Sequence, residues 1–333
     1  MNGSDAVDEA RRLVVEALRD GQRFVAVTHE HPDGDALGSL VALTRSLRAL
    51  GKDVVSLVGP DDLPVPREYS GLATDQLVTE VPADLAERTA VFLDCGNIDR
   101  AGVAAVREGA ARIINLDHHH DNTRFGDIDL VDPDASCTAE ILWDLLPDLG
   151  LEADRETAEA LYVGLVTDTG RFMYENTRGR AHLMAADLLA AGVEPFPVYR
   201  KVYEGVPWSK LALLARALDR VRQEDEGRLT FTLVRREDYE RTGAQDSDSE
   251  GIIDHLRTVA GTRVAAFARE LPPDPDGGVR TKVSLRSADG RLDVSVIARA
   301  GGGGGHPQAA GFTTGLDEDE LVAFLRGQVH ALG

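Results

Sequence analysis

The chain has 333 residues, of which 43% are hydrophobic, so it can bury a substantial core, and its length favours two domains over one. Its formal net charge of −21 argues against non-specific binding to long nucleic acid, because the average surface repels a polyanion. No stretch reaches the roughly 20 apolar residues of a membrane helix, the N-terminus lacks a signal-peptide layout, and two cysteines are too few for a disulfide framework. We therefore expect a cytoplasmic protein that binds neither membranes nor long duplex nucleic acid.

The first half of the chain alternates between two kinds of pattern. Short apolar segments, which predict strands, lie at residues 24–27, 54–58, 90–94 and 112–117. Helical spacing separates them and then continues through SCTAEILWDLLPDLG, RETAEALYVGLVTDTG and RAHLMAADLLAAG. Strands that alternate with helices indicate an α/β fold with a parallel sheet, and we place this domain at residues 1–192.

The second half predicts a smaller α/β domain at residues 227–333, joined to the first by a helical linker at residues 193–226. GRLTFTLVRR and VRTKVSLRS are predicted strands, whereas EGIIDHLRTVAG and LDEDELVAFLRGQVHAL are predicted helices. A run of five glycines, residues 301–305, would by itself indicate a flexible linker.

Polar side chains with metal-binding chemistry follow several of the predicted strands. The segment THEHPDGDALGS carries His29, Asp33 and Asp35 directly after the first strand; the other groups are Asp94, the run Asp117 to His120, and Asp168. In open parallel sheets, functional groups collect at the carboxyl ends of the strands. Carboxylates and imidazoles bind Mn²⁺, Mg²⁺, Zn²⁺ or Fe²⁺, and this set suffices for two ions. Asp94, alone on its strand, is the natural candidate for a carboxylate shared between them.

Each of these features also has an ordinary explanation when taken singly. Asp33, Gly34 and Asp35 fit a simple turn, Asp94 fits a helix N-cap, and Asp168 fits a loop at the end of a helix. Their recurrence at several strand ends favours a metal site. Other histidines, namely His31, His182, His255 and His330, are interpreted as loop, structural or solvent-facing residues.

Four motifs in order resemble those of the DHH phosphoesterase superfamily: HEHPDGDALGS, VFLDCGN, DHHHDN and GLVTDTGRF. Further along, KVSLRS and GGGGHPQAAG resemble the marks of its C-terminal DHH-associated domain. The length is similar to that of the NrnA-type branch, which comprises oligoribonucleases that also remove the 3′-phosphate from pAp and has relatives that hydrolyse cyclic dinucleotides.

The resemblance implies a role for each matching residue. His29 and Asp33 match ligands of one Mn²⁺ ion; Asp35, His118 and Asp168 match ligands of a second; Asp94 matches the carboxylate that bridges them. His119 matches the catalytic histidine beside the substrate phosphate. Asp117 is expected to orient its neighbours, and His120 has no assignment.

The resemblance also implies that the glycine run is part of a clamp that binds the substrate. Arg286 is suited to a bidentate contact with phosphate, and the backbone N–H groups of Gly303, Gly304 and Gly305, next to His306, can approach an anion closely. The run holds one glycine more than the four that the motif needs.

These observations predict a phosphoesterase with two divalent metal ions, with Mn²⁺ preferred and Mg²⁺ or Co²⁺ as alternatives. Its expected substrates are short oligoribonucleotides (nanoRNA such as pApA), pAp or cyclic di-AMP, with nucleoside 5′-monophosphates as products. Two other hypotheses stay open: an inorganic pyrophosphatase or exopolyphosphatase of the same superfamily, and a nucleotide-sensing binding protein. The sequence does not rank the substrates, and it leaves a homodimer open.

Overall fold

The computed structural model describes residues 3–272 and 280–332, and the chain divides into two compact units, residues 1–205 and 206–333. Each unit has its own sheet and its own hydrophobic core. Among the described residues, no helix is both long enough and apolar enough to cross a membrane.

The first unit is built on a six-stranded sheet in the order β3-β2-β1-β4-β5-β6. The strands are β1 (Arg23–Thr28), β2 (Asp53–Leu57), β3 (Leu77–Val78), β4 (Thr89–Leu93), β5 (Arg112–Asp117) and β6 (Ile128–Val131). All five pairings are parallel. The strand order reverses between β1 and β4, and a crevice at the carboxyl ends of two such strands is the usual ligand site of an open parallel sheet.

The α-helices described in this unit are α1 (Gly3–Asp20), α2 (Gly34–Ala49), α3 (Ala104–Gly109), α4 (Thr138–Leu149), α5 (Arg155–Asp168), α6 (Gly179–Ala190) and α7 (Pro195–Tyr203). The strands are apolar on both faces. On β4, for example, Val91 and Leu93 join the larger core cluster, whereas Ala90 and Phe92 join a second cluster on the opposite face. Burial on both faces explains why these strands appear in the sequence as continuous apolar runs.

Two glycines bring α2 and α5 into close contact beside the crevice. A Cβ at Gly38 would lie 2.4 Å from the carbonyl oxygen of Ala160, and one at Gly164 would lie 2.7 Å from Oδ1 of Asp35. No side chain larger than hydrogen fits at either position without movement of a neighbour. The backbone of α5 can therefore lie directly against the acidic start of α2.

The second unit contains a mixed six-stranded sheet in the order β11-β12-β10-β9-β8-β7. Its strands are β7 (Arg222–Glu224), β8 (Leu229–Val234), β9 (Val264–Glu270), β10 (Thr281–Ser287), β11 (Gly304–Gly305) and β12 (Ala309–Thr314). Its helices are α8 (Trp208–Asp219), α9 (Arg236–Thr242), α10 (Ile252–Arg257), α11 (Val294–Ala300) and α12 (Glu318–Ala331). Among the described strands of this unit, β8 and β9 pair in parallel and the other pairings are antiparallel.

The two-domain α/β fold expected from the sequence is confirmed, with a parallel sheet in the first unit and a mixed sheet in the second. The segment predicted as a helical linker contains α7 in the first unit and α8 and β7 in the second.

Candidate metal centre

The candidate site lies at the reversal of strand order in the first unit. His29 directly follows β1, Asp94 directly follows β4, and Asp117 is the last residue of β5. Because these three strands are adjacent and parallel, their ends bring the first three sequence motifs to one edge of the sheet.

The loop after β1 is held in one conformation by backbone and carboxylate contacts. Asp33 is the N-cap of α2, and its Oδ1 accepts hydrogen bonds from the backbone N–H groups of Asp35 and Ala36. His31 has a left-handed backbone (φ 54°), and its N–H donates to the buried carboxylate of Asp62 at 2.9 Å. The turn expected as the ordinary explanation of this motif is therefore present, and it leaves Oδ2 of Asp33 free of these capping bonds.

The ring of His29 is oriented as a ligand would be. Its Nδ1 lies 2.8 Å from the carbonyl oxygen of Glu30, which can only accept, so Nδ1 carries the proton. Nε2, the nitrogen left for a metal ion, then faces Asp94, 3.6 Å from Oδ2. A hydrogen bond that fixes the tautomer in this way is typical of metal-binding histidines.

Asp94 occupies the centre of the cluster and is only 4% exposed. Its Oδ2 faces His29, while its Oδ1 lies 3.6 Å from Nε2 of His118 and accepts a hydrogen bond from the hydroxyl of Thr138 at 3.0 Å. Donor atoms within 4.8 Å of one another form two groups, His29 with Asp33 and Asp94, and Asp94 with His118 and His119. Asp94 belongs to both groups, as a bridging carboxylate must.

The ordinary explanation of Asp94 as a helix N-cap does not hold. The short 3₁₀ helix that follows is capped by Asn97, whose side chain accepts from the N–H of Asp99. Asp94 itself has a left-handed backbone with φ 57°, which is uncommon for a residue other than glycine. Such backbone strain is concentrated at functional sites.

Two further predicted ligands, Asp35 and Asp168, stand at the side of this centre next to α4 and α5. Oδ2 of Asp168, the last residue of α5, lies 3.7 Å from Nε2 of His118. Both oxygens of Asp35 face the first turn of α4, where they accept from the N–H groups of Thr138 at 2.7 Å and Ala139 at 3.0 Å. Asp35 is thus close to the cluster but is outside the two three-donor groups.

His119 is oriented as a proton donor by Asp117. Its Nδ1 lies 2.8 Å from Oδ1 of Asp117, a fully buried carboxylate that also accepts from the backbone N–H of His118. This hydrogen bond, opposed by burial and reinforced by nearby carboxylates, raises the pKa of His119 to about 9. Because Nδ1 is committed to Asp117, His119 is better suited to donate from Nε2 than to bind a metal through Nδ1.

The charge balance of the site fits divalent cations. Burial, together with the negative charge of neighbouring carboxylates, raises the pKa of Asp35, and burial raises that of Asp168 to about 6. In the described part of the chain, no lysine or arginine forms an ion pair with Asp33, Asp35, Asp94 or Asp168. Crowded carboxylates with imidazole partners and no lysine or arginine counter-charge form a donor set that divalent ions would neutralise.

The chain is similar to known proteins over most of its length. The profile of the DHH family, N-terminal domain, matches residues 23–165, and that of the DHHA1 domain matches residues 229–331. The bifunctional oligoribonuclease and PAP phosphatase NrnA of Thermus thermophilus is 37% identical over 319 residues, which cover 94% of this chain and 91% of that protein. This chain belongs to the DHH family.

Other relatives extend the same comparison. The protein of the same name from Bacillus subtilis is 26% identical and covers 85% of this chain and 86% of its own length. A solved structure, an exopolyphosphatase-related protein from Bacteroides fragilis, superposes with a TM-score of 0.84 at 23% identity over 97% of this chain and 96% of that one. At this level of identity, the superposition shows the DHH fold.

The DHHA1 unit carries the residues predicted to bind substrate. Arg286 lies on β10, opposite Ala309 at the start of β12. A tight turn joins β11 to β12, in which the backbone groups of His306 and Ala309 form two mutual hydrogen bonds of 2.8 and 3.1 Å. Within this unit, Arg286 and the exposed His306 therefore belong to neighbouring positions at one end of the sheet.

The glycine run is a structured part of this DHHA1 sheet. A Cβ at Gly301, Gly303 or Gly305 would lie between 2.1 and 2.5 Å from atoms of β12, and Gly302 has a left-handed backbone with φ 82°. Gly304 alone among the five has open space and no such backbone. It is therefore the glycine that the structure does not require, whereas the other four are needed for close packing or for the turn.

One group of side chains that supports the DHH motifs was not predicted from the sequence. Asn176 donates from Nδ2 to Oδ2 of Asp168 at 2.9 Å and to the carbonyl oxygen of Ser136 at 2.8 Å. Thr138 donates to Asp94, and Asn122 donates to Asp117. Only the position of Asn122, inside the third motif, could have indicated such a role.

Proposed function

We propose that this DHH protein is a metal-dependent phosphoesterase that hydrolyses short oligoribonucleotides to nucleoside 5′-monophosphates and pAp to AMP. The relatives from Thermus thermophilus and Bacillus subtilis are named as bifunctional oligoribonucleases and PAP phosphatases, which supports this substrate class. Cyclic di-AMP is a further substrate to be tested.

The observation that carries the proposal is the position of Asp94 between two groups of donor atoms. One carboxylate oxygen faces His29 and the other faces His118, so a single side chain is available to both halves of the centre. We assign His29, Asp33 and Asp94 to one ion, and Asp35, Asp94, His118 and Asp168 to the other. Mn²⁺ is the preferred ion because the donor set is mixed nitrogen and oxygen without cysteine, and Mg²⁺ or Co²⁺ are alternatives.

When bound, divalent ions would stabilise charge on the phosphoryl oxygens and make a nucleophile available from water near neutral pH. The chain itself prepares the site for this chemistry. Glu30 fixes the tautomer of His29, and Thr138 holds Oδ1 of Asp94. These contacts set the ligand atoms in place before substrate binds, so little reorganisation is needed during the reaction.

His119 supplies the proton-donating group. Asp117 holds Nδ1, and this hydrogen bond raises the pKa of the ring to about 9, which favours the form that offers an N–H from Nε2. That N–H can stabilise a nonbridging oxygen of the phosphoryl group or protonate the leaving oxygen.

In the DHHA1 unit, we propose that Arg286, His306 and the backbone N–H groups of Gly303, Gly304 and Gly305 bind a terminal phosphate of the substrate. Among the described residues, Arg286 has no carboxylate partner, and its side chain donates a hydrogen bond to the carbonyl oxygen of Leu285. Its guanidinium is therefore available for a phosphate. Capture of a terminal phosphate would favour short substrates over long strands.

The test is a parallel turnover assay with Mn²⁺ on pAp, pApA, a five-nucleotide RNA, cyclic di-AMP and pyrophosphate. We expect cleavage of pAp and the short RNAs, with loss of at least about a hundredfold in the Asp94→Asn variant. Asp99→Asn is the matched control, because Asp99 is an exposed aspartate five residues further along and pairs with Arg107. Absence of turnover on every nucleotide would overturn the proposal, and preferential hydrolysis of pyrophosphate would favour the pyrophosphatase hypothesis.

A further inference from the structure

The chain makes an unusual turn immediately after Asp168. Three consecutive residues, Gly170, Arg171 and Phe172, have left-handed backbones with φ values of 53°, 63° and 66°. For arginine and phenylalanine this conformation costs free energy, so the surrounding structure must hold it in place.

The turn is held from inside, through Thr169 and Phe172. The carbonyl oxygen of the buried Thr169 accepts hydrogen bonds from the backbone N–H groups of Met173 and Tyr174. The hydroxyl of Thr169 accepts a hydrogen bond from the backbone N–H of Phe172. The ring of Phe172 packs on the core and stacks on His182 with 5.1 Å between ring centroids. These contacts do not involve the side chains of Met173 and Tyr174.

Both of those side chains are directed to solvent: Met173 is 81% exposed and Tyr174 is 53% exposed. The Tyr174 ring nevertheless has a defined position. A Cβ at Gly170 would lie 2.5, 2.5 and 2.6 Å from three consecutive ring carbons, and a point equidistant from three such atoms lies above the centre of the ring. The backbone of Gly170 therefore covers one face of the ring. Solvent reaches the side chain from the opposite face and the edges.

The turn that carries the ring directly follows the candidate metal ligand Asp168. Consecutive Cα atoms are about 3.8 Å apart, so the Cα of Gly170 lies within about 8 Å of that of Asp168. Asn176, two residues after Tyr174, hydrogen bonds to the carboxylate of Asp168. The segment that carries the ring thus begins at one metal-ligand candidate and returns to it.

The same surface offers positive charge in a strongly acidic chain. Arg171 is exposed, and its guanidinium lies 5.2 Å from the centroid of the Tyr203 ring. It forms no ion pair with a carboxylate among the described residues. An exposed aromatic ring and an exposed arginine on one turn are a combination that proteins use to stack bases and attract the phosphates of single-stranded nucleotides.

We propose that Tyr174 is a nucleobase-stacking residue: the base of the substrate nucleotide packs on the ring face opposite Gly170 while its phosphate lies at the metal centre. The inference rests on the proposed function, because it needs a nucleotide substrate. It adds a specificity determinant in the DHH unit itself, which would distinguish nucleotides from pyrophosphate or polyphosphate, since these have no base.

Kinetic measurements on one substrate that has a nucleobase and on one that lacks it test this proposal. Michaelis parameters are measured with Mn²⁺ on pAp and on ribose 3′,5′-bisphosphate, which is pAp without its adenine. For Tyr174→Leu, which keeps an apolar side chain over Gly170, we expect KM for pAp to rise about tenfold with kcat nearly unchanged. KM for ribose 3′,5′-bisphosphate should stay the same. Tyr174→Phe keeps the ring and should behave as the wild type on both substrates.

Phe196→Leu is the matched control, because Phe196 is an exposed aromatic residue of α7 in the same unit, 66% exposed. It should change neither KM. An unchanged KM of Tyr174→Leu for pAp, or an equal rise for both substrates, would overturn the stacking role. The second result would mean that the side chain only supports the turn.

A binding measurement separates this inference from the proposed function. The dissociation constant of AMP is measured by calorimetry for the wild type, Tyr174→Leu and Tyr174→Phe. If the wild type cleaves neither bisphosphate, the proposed reaction fails, yet weaker AMP binding by Tyr174→Leu alone would still support stacking. Equal binding by all three proteins would overturn it.

Discussion

Asn176 donates from a single amide nitrogen to both the carboxylate and the backbone carbonyl of Asp168, at 2.9 and 3.1 Å. The same nitrogen also reaches the carbonyl oxygen of Ser136 at 2.8 Å. This amide fixes both the end of α5 and the direction of one candidate metal ligand.

Replacement of Asn176 by alanine should therefore weaken metal binding. We expect Mn²⁺ affinity to fall by roughly tenfold to a hundredfold, the usual effect of removing a side chain that orients a ligand. The measurement is a calorimetric or electron paramagnetic resonance titration of the metal-free protein with Mn²⁺. Glu175→Ala, one residue earlier and exposed, is the control and should bind as the wild type does. Equal affinity of both variants would mean that Asn176 does not orient Asp168.

The adjacent residues His118 and His119 should respond differently to replacement by alanine. Nε2 of His118 faces Asp94 and Asp168, so His118→Ala should lose at least about tenfold in Mn²⁺ affinity. Nδ1 of His119 is bonded to Asp117, so His119→Ala should keep Mn²⁺ affinity and lose about a hundredfold or more in kcat. The two variants are compared by Mn²⁺ titration and by turnover of pAp at saturating metal. A large loss of metal affinity in His119→Ala would instead make this histidine a ligand.

The structure also shows how far the sequence determines the fold. The strands at 24–27, 54–58, 90–94 and 112–117 are visible as apolar runs because both faces of the parallel sheet are buried. β11 is not visible, since it consists of Gly304 and Gly305, and glycine has no preference for strands. It exists through its pairing with β12, a contact that local sequence does not specify.

The candidate site also contains some residues that can be placed from the sequence and others that cannot. Residues directly after strands, such as His29 and Asp94, could be placed from the sequence because strand ends in a parallel sheet meet at one edge. Asn176 and Tyr174 could not, because their positions depend on the left-handed turn at residues 170–172 and on Thr169 beneath it. The amino-acid sequence of this segment does not distinguish the turn from an ordinary loop.

The glycine run allows a stability test with two adjacent positions. A Cβ at Gly303 would lie 2.1 Å from the carbonyl oxygen of Gly311, whereas one at Gly304 would meet nothing within 4 Å. We expect Gly303→Ala to lower the free energy of unfolding by about 2 kcal/mol, because backbone must move to relieve the clash. Gly304→Ala should change it by less than about 0.5 kcal/mol. Urea unfolding followed by circular dichroism measures both, and similar losses in the two variants would contradict the strand pairing seen here.

Asp238 predicts a pH dependence of stability in the second unit. Its side chain is fully buried, caps α9 by accepting from the N–H of Arg235 at 2.9 Å, and pairs with Arg216 and Arg220. Burial alone would raise the pKa of this carboxyl, but hydrogen bonds from Arg220 and Arg235 together with the arginine charges hold it below its usual value. The ionised form therefore stabilises the folded state.

Asp238→Asn should destabilise the protein by about 2 kcal/mol at neutral pH. Breaking a wholly buried ion pair would cost roughly 4 kcal/mol. The smaller value is expected here because the side chains of Arg216 and Arg220 are 35% and 33% exposed. The unfolded chain binds a proton at this group near pH 4, before the folded protein does, so the stabilisation is present above that pH and is lost as the pH falls further. The urea midpoints of wild type and variant should therefore differ at pH 7 and converge below about pH 4. A difference that stays constant across this range would show that Asp238 acts through its shape and hydrogen bonds rather than through its charge.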